Sequence, residues 1–252
     1  MTEITERLAR AARQLIQTEN LIGGEFIPAV RNPLPPIEAS PPGGADMNRE
    51  ELTAALVALD TDEVRNCQRC ALCKGRTNTV LGEGDCDADL VFVGEAPGHD
   101  EDISGRPFVG RAGELLTRMI SAMGLSRQDI YICNLVKCRP PNNRAPGPDE
   151  IQACWDYLIR QLQILRPKVI VTLGNPATQN LLDTRTGITK LRGQWQELPD
   201  IGDGLEGIAV MPTFHPAYVL RQYTPDVRGK VWSDLQQVME LLGLQGPENG
   251  KQ

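Results

Sequence analysis

Four short runs along the chain are apolar at nearly every position and then break into polar, Gly or Pro residues. They are "DLVFVGEAP" from Asp89, "DIYICNLVKC" from Asp129, "KVIVTLGN" from Lys168 and "IAVMPTFHP" from Ile208. Continuous β-branched runs of this kind suit strands buried on both faces of a parallel sheet. Between them the period changes to that of a helix. Leu115, Leu116, Met119, Ile120 and Met123 form one stripe; Ile151, Cys154, Trp155, Leu158, Ile159, Leu162 and Leu165 form a second. The second opens in "PGPDE", with Pro and acids in its first turn, and stops at "RPK", as helix start and stop signals do. Further helices are expected at about 176–183 and 229–242. Strands alternating with helices predict an α/β fold, a three-layer α/β/α sandwich with a central, mainly parallel four-stranded sheet. Ligands of such sheets bind at the carboxyl ends of the strands, which here are "GEAPG", "NLVKC", "LGN" and "TFHP".

Upstream, the pattern is different. Ile4, Leu8, Leu15 and Ile16 share one helical face, and "GGEFIPAVRNPLPPIEASPPGGAD" then brings six Pro and four Gly with no period, the composition of a flexible linker. The expected organisation is a helix and linker over residues 1–46, one α/β domain over 47–244 and a tail over 245–252. No run of eighteen apolar residues and no apolar signal core occurs, so a cytoplasmic protein is expected. Seven Cys without an export signal argue for metal ligation or buried thiols rather than disulfides.

The net charge of -7 is unfavourable for a nucleic-acid binder, since phosphate contacts need Lys and Arg. Its distribution changes that conclusion. Residues 1–63 hold eleven acids against five Arg and account for most of the excess, whereas "NLVKCRPPNNRAPG" is free of acids. Lys137, Arg139 and Arg144 in that segment offer a local basic surface, unless they are simply solvated.

Chemistry is concentrated at the expected strand ends. The loop "GEAPGHDEDISGRPF" has neither dinucleotide-binding glycine spacing nor a Walker Gly-Lys-Ser/Thr, and its acids would repel a phosphate. Its Gly and Pro residues can still present backbone amides, with Glu95 and Glu101 as candidate acid/base or hydrogen-bonding groups. Asp100 to Asp102 are equally compatible with capping the next helix. Only two His exist. His215 falls at a strand's carboxyl tip, while His99 lies in a polar loop and is read as solvated. Asn134 ends another strand, where an amide must either bridge a turn or meet a ligand's polar edge. Phe108 is either a core plug or a stacking platform.

The run "NCQRCALC" separates Cys67, Cys70 and Cys73 by two residues each, a spacing that brings thiolates onto one ion or cluster. Thr77 occupies the position where a bacterial ferredoxin pattern has its fourth Cys. Cys138 and Cys154 could complete a site for a [4Fe-4S] cluster or Zn²⁺, and spacing alone does not choose between them. Cys133 and Cys86 read as buried, inert thiols.

Together these segments resemble the family 4 uracil-DNA glycosylases, the iron-sulfur branch of that superfamily. The resemblance runs from Asn66 to about Leu242, through "NCQRCALCKGRTNTVLGEG", "VFVGEAPGHDEDISGRPFVGRAGELL", "NLVKCRPPNNRAPGPDEIQAC", "VTLGNPA", "KLRGQW" and "TFHPAYVLR" in order. It implies a [4Fe-4S] cluster on Cys67, Cys70, Cys138 and Cys154. It places Phe108 on the flipped uracil, Asn134 on uracil's polar edge and His215 opposite its O2. Glu101 and Asn143 fall on loop positions that support the site, and Gly94, Ala96 and Gly98 on the backbone turn beneath the sugar. The activity implied is monofunctional excision of uracil from single- or double-stranded DNA, leaving an abasic site.

Some related branches carry a water-orienting Asp where this chain has Ala96; here either Glu95 substitutes for it or substrate electrostatics carry more of the barrier, and the residues leave both open. Branches that trap uracil covalently carry a His in the second-motif loop, and "CRPPNNRAPG" has none. The resemblance further implies a monomer associated with the nucleoid; the extension at residues 1–60 is available to a clamp or other replication or repair partner. Two other readings stay open on residues alone: a non-catalytic DNA-binding or replication-associated module on the same scaffold, and a zinc-stabilised hydrolase using Glu95 or Glu101.

Overall fold

The parallel core of the sheet consists of β2 (Leu90–Gly94), β3 (Tyr131–Asn134), β4 (Val169–Leu173) and β6 (Ala209–Thr213). These are the four runs expected from the sequence. The computed structural model describes residues 47–245, so the helix and linker expected within 1–46 and nearly all of the tail lie outside the described residues. The sheet has six strands rather than four. Short antiparallel strands β1 (Gly82–Gly84) and β5 (Gln196–Glu197) close its two edges, giving the order β1-β3-β2-β4-β6-β5. Neither edge strand carries an apolar run, because each is only partly covered and pairs chiefly through its backbone.

Alternation along the strands divides the core between two faces. On one face Leu90, Phe92, Ile132, Val171 and Met211 pack on helices α3 (Arg111–Ala122) and α8 (Pro225–Leu241). On the other, Val91, Val93, Cys133, Ile170 and Val210 pack on α4 (Pro148–Leu165) and α5 (Asn175–Leu181). The predicted stripes are the buried faces of α3 and α4. Helix α4 ends where Arg166 turns left-handed (φ 45) ahead of Pro167.

Three further helices complete the layers: α1 (Arg49–Ala58), α2 (His99–Ser104) and α7 (Pro216–Arg221), with a single turn α6 (Ile188–Leu191). The sequence pattern had not singled out α1. Its signal is a capping box, in which the Asn48 side chain accepts from the Glu50 and Glu51 amides and Glu51 Oε2 accepts from the Asn48 amide. Among the described residues no helix is long and apolar enough to cross a membrane.

In the order β3-β2-β4 the chain leaves β2 to one side and returns to its other side. A cleft opens at the carboxyl ends of the strands at such a reversal.

Candidate active site

That cleft has a volume of about 1060 Å³ and draws its walls from all four predicted strand ends. Asn134, last residue of β3 and opposite Gly94 of β2, is 1% exposed. Its Oδ1 is buried and has no hydrogen-bond partner within the protein. Such an acceptor costs about 1–3 kcal/mol unless something fills it. Gly94 permits this placement, since a Cβ there would lie 2.3 Å from Asn134 Oδ1 and 2.6 Å from Phe108 Cζ.

Phe108 is buried beside Asn134 with φ at 51, a left-handed backbone that a side chain normally avoids. Two residues hold it. Arg127 donates from Nη1 to the Phe108 carbonyl (3.1 Å) and from Nη2 to that of Pro107 (2.6 Å), while its Nε donates to Glu83 of β1. Glu101 accepts from the Gly98 amide through Oε2 (3.0 Å) and from the Val109 and Gly110 amides through Oε1 (3.0 and 3.2 Å). Of the two roles open to Glu101, the geometry supports the brace, because both oxygens are committed to backbone amides. Neighbouring Asp102 is buried and does not merely cap its helix. Its Oδ1 accepts from the amides of Thr77 (2.8 Å) and Asn78 (3.4 Å), tying α2 to the chain that follows the Cys-rich segment.

His215 caps α7. Its Nδ1 accepts from the Ala217 amide at 3.1 Å, which leaves the proton on Nε2. Burial, with a smaller contribution from Arg221, pulls its pKa down to about 4, so the imidazole is neutral near pH 7. Its ring centroid is 5.6 Å from that of Phe108, with the planes inclined by 32°. Gly174, at φ 86, lets β4 end against this ring; a Cβ there would come within 2.9 Å of His215 Cβ. The strand carrying His215 is anchored from below. Thr213 donates to Asp234 Oδ2 at 2.6 Å, and the fully buried Asp234 also pairs with Arg192 of the "KLRGQW" segment.

Glu95 lines the cleft, and burial raises its pKa above the ordinary carboxylate value. Ala96 lies next to it and packs toward the Cys-bearing cluster. Asn143 sits exposed on the cleft's rim with φ 54, and its Oδ1 accepts from Arg139 Nε at 2.7 Å. Arg139 also donates to His99 Nδ1 at 3.1 Å, so His99, though exposed, is engaged in a contact rather than merely solvated. The basic surface expected from Lys137, Arg139 and Arg144 is not a free one. Arg144 forms a two-pronged pair with Glu150 (2.7 Å each), and Lys137 is 1% exposed. Scattered cations satisfy buried or nearby acceptors whenever the chain brings these close, and a linear reading does not see that.

Behind the cleft, Cys67, Cys70, Cys73, Cys138 and Cys154 line one narrow cavity. Four of them, Cys67, Cys70, Cys138 and Cys154, also join one apolar cluster with Leu59, Val64, Leu72, Val136 and Tyr157; Cys73 does not. Donors surround the sulfurs. The Arg69 amide reaches Cys67 Sγ (3.4 Å), Arg76 Nη1 reaches Cys138 Sγ (3.3 Å) and the Lys137 amide reaches Cys154 Sγ (3.3 Å). Burial, partly offset by Arg76, pushes the Cys138 thiol up to about 11, so metal binding there must release protons. Among the described residues no three His, Cys, Asp or Glu side chains are grouped closely enough to grip a single ion. Cys133 is buried on β3 and Cys86 lies 3.2 Å from Thr53 Oγ1, as befits structural thiols.

The family model described as "Uracil DNA glycosylase superfamily" matches residues 81–236. The chain belongs to the uracil-DNA glycosylase superfamily. Within it, the chain is 45% identical over 199 residues to a type-4 uracil-DNA glycosylase of Thermotoga maritima, covering 79% of this chain and 98% of that one. It is 48% identical to the type-4 enzyme of Archaeoglobus fulgidus, over 73% of this chain and 92% of that one. A third relative of the same description, from Saccharolobus solfataricus, is 49% identical over 73% of this chain and 85% of its own. The superfamily match contains Phe108, Asn134 and His215 but starts after Cys67 and Cys70.

The sequence of this superfamily member pointed to neither Arg127 nor Asp234, and to Asp102 only as a helix cap. None touches the cleft, so none lies at a strand end. The one available signal was a charged residue inside or beside an apolar stripe, as with Asp234 between Trp232 and Leu235.

Proposed function

We propose that the protein is a DNA repair glycosylase that hydrolyses the N-glycosidic bond of uracil in DNA and initiates base excision repair. The observation that carries the reading is the buried, unpartnered Oδ1 of Asn134 in a cleft that also holds Phe108 and a neutral His215. Uracil rotated out of the stack presents an N3–H donor beside a carbonyl acceptor, which an amide can match. Phe108 offers its face to the base. The Nε2–H of His215 donates toward O2, where negative charge develops as the bond breaks; preorganised donors at such a position lower the barrier most. A neutral imidazole does this without protonating the leaving base.

Glu95 has a carboxylate at the same cleft, and no group among the described residues hydrogen-bonds to it. It is the residue placed to stabilise the nascent sugar cation and orient water, a role Ala96 cannot take. Glu101, Gly94 and Gly98 shape the turn, and Asn143 supports the opposite rim. With water as nucleophile the enzyme is monofunctional.

Cys67, Cys70, Cys138 and Cys154 would hold a [4Fe-4S] cluster. Thiols drawn from three segments around one cavity, with N–H donors on three of them, suit a multi-iron cluster better than one zinc ion. When bound, it cross-links the segment before β1 to the loop after β3. The substrate is uracil-containing DNA, single- or double-stranded. The 47–244 unit acts as a monomer in the cytoplasm at the nucleoid, and the N-terminal extension serves a replication or repair partner.

A non-catalytic module leaves the Asn134 acceptor without purpose, and a zinc-stabilised hydrolase would have to rely on Glu95 alone, because the Glu101 oxygens are already engaged by backbone amides. The test is release of free uracil from a uracil-containing oligonucleotide by the purified protein. An oligonucleotide still intact after alkali overturns the reading.

A further inference from the structure

Lys137 is among the largest fully buried side chains of the protein, and each of its polar groups ties down a different element. Its amide donates to Cys154 Sγ on α4 (3.3 Å), its carbonyl accepts from the Val80 amide (2.8 Å), and its Nζ turns back three residues to donate to the Asn134 carbonyl (2.8 Å). Beyond β3 the Leu135 and Val136 amides continue to the carbonyls of Gly94 and Glu95 (3.0 and 3.3 Å). The peptide bearing Asn134 is thus held from both sides: by β2 on one and by the Lys137 amino group on the other.

Stability alone does not account for a lysine here. Burying a lysine amino group is costly, and one hydrogen bond to a carbonyl returns only part of that cost. An unbranched apolar side chain of similar length would fill the space without it. What the amino group adds is direction, since its N–H fixes the orientation of the peptide whose side chain faces the cleft. It does so from a residue whose backbone is bonded to a cluster thiol.

We propose that Lys137 is a positioning residue that sets Asn134 against the base and transmits the placement of the thiol centre to uracil recognition. The proposal rests on the glycosylase reading. It assigns no proton transfer to Lys137 and no contact with uracil. Because a residue that acts through another loses its effect once the other is gone, the two side chains must be non-additive.

The experiment is a double-mutant cycle of Lys137→Met and Asn134→Ala in the iron-loaded, full-length protein. It is read as kcat/KM for uracil release and as the inhibition constant for free uracil. Absorbance near about 400 nm per chain reports the cluster. With that absorbance unchanged, K137M is expected to lower kcat/KM by about tenfold or more and to weaken free uracil by a similar factor. In the N134A background it should cause little further loss. Lys137→Gln, which keeps a shorter donor, should recover part of the effect. Where K137M loses its iron, the cycle is run with K137Q. Losses that multiply across the cycle, or a K137M protein with wild-type kcat/KM and uracil inhibition, overturn the proposal. Wild-type protein that releases no uracil overturns the glycosylase reading instead, so the two failures are distinct.

Discussion

The imidazole of His215 and the phenyl ring of Phe108 are in contact in the cleft, with centroids 5.6 Å apart and planes inclined by 32°, one contributed by the segment just after β6 and the other by the loop before α3. The pairing makes a polar donor and an apolar face available to a single ligand. Replacing His215 with Ala should remove the donor while keeping the fold, lowering kcat by about 10²–10³-fold with a smaller change in KM. Single-turnover uracil release checks this; a full rate in H215A removes His215 from the chemistry.

Arg127 fastens the strained Phe108 backbone through two carbonyls. Arg127→Ala should cost about 1–3 kcal/mol of stability, the usual penalty for stranding buried partners. It should also raise KM more than it lowers kcat, because the stacking face loses its position. Urea denaturation and steady-state kinetics together separate the two effects.

Gly94→Ala tests the close approach directly. The added methyl collides with Asn134 Oδ1 and Phe108 Cζ, and a misplacement of about 1 Å in a reacting site costs on the order of 10²-fold in rate. The far-ultraviolet circular dichroism should match wild type. Near-normal activity in G94A would show that neither side chain needs its observed position.

Acidity acts on two groups. His215 has its folded pKa near 4, below its ordinary 6.5, through burial. The unfolded chain therefore takes up that proton first as pH falls, and the stability His215 contributes is present above about pH 6.5 and is lost as pH falls toward 4. Catalysis through a neutral imidazole should persist across that window. Glu95 is raised above the ordinary carboxylate value by burial, so its protonation should set the acid limb of kcat/KM in the wild type. Glu95→Gln should flatten that limb and lower the plateau; an unchanged limb in E95Q would assign it elsewhere.

The thiols divide by environment. Cys154→Ser should abolish absorbance near about 400 nm and lower the melting temperature, whereas Cys73→Ser and Cys86→Ser should keep both. Loss of iron in C73S would add Cys73, which lines the same cavity, to the ligand set.

Much of this architecture was legible in linear form. The four apolar runs became the four parallel strands, and the stripe from Ile151 to Leu165 became the buried face of α4, because burial on both sides of a sheet and on one side of a helix leaves a periodic mark. The strand tips were legible for the same reason: Asn134 and His215 are polar residues just where an apolar run stops. The edge strands escaped notice, since two or three residues paired through backbone carry no hydrophobic period. The capped α1 escaped for want of a strong apolar stripe.

What the sequence determined by itself is therefore the layered sheet, the edge at which the cleft opens and the residue types gathered there. These follow from burial periodicity and from the resemblance carried by ordered motifs. Only the tertiary structure decided that Glu101 clamps amides, that Asp102 and Asp234 anchor elements far away in the chain, and that Lys137 lies in the core with its Nζ on the Asn134 carbonyl. Those roles depend on which backbone donors and acceptors are left unpaired once the elements pack, and residues twenty or more positions apart supply several of the partners.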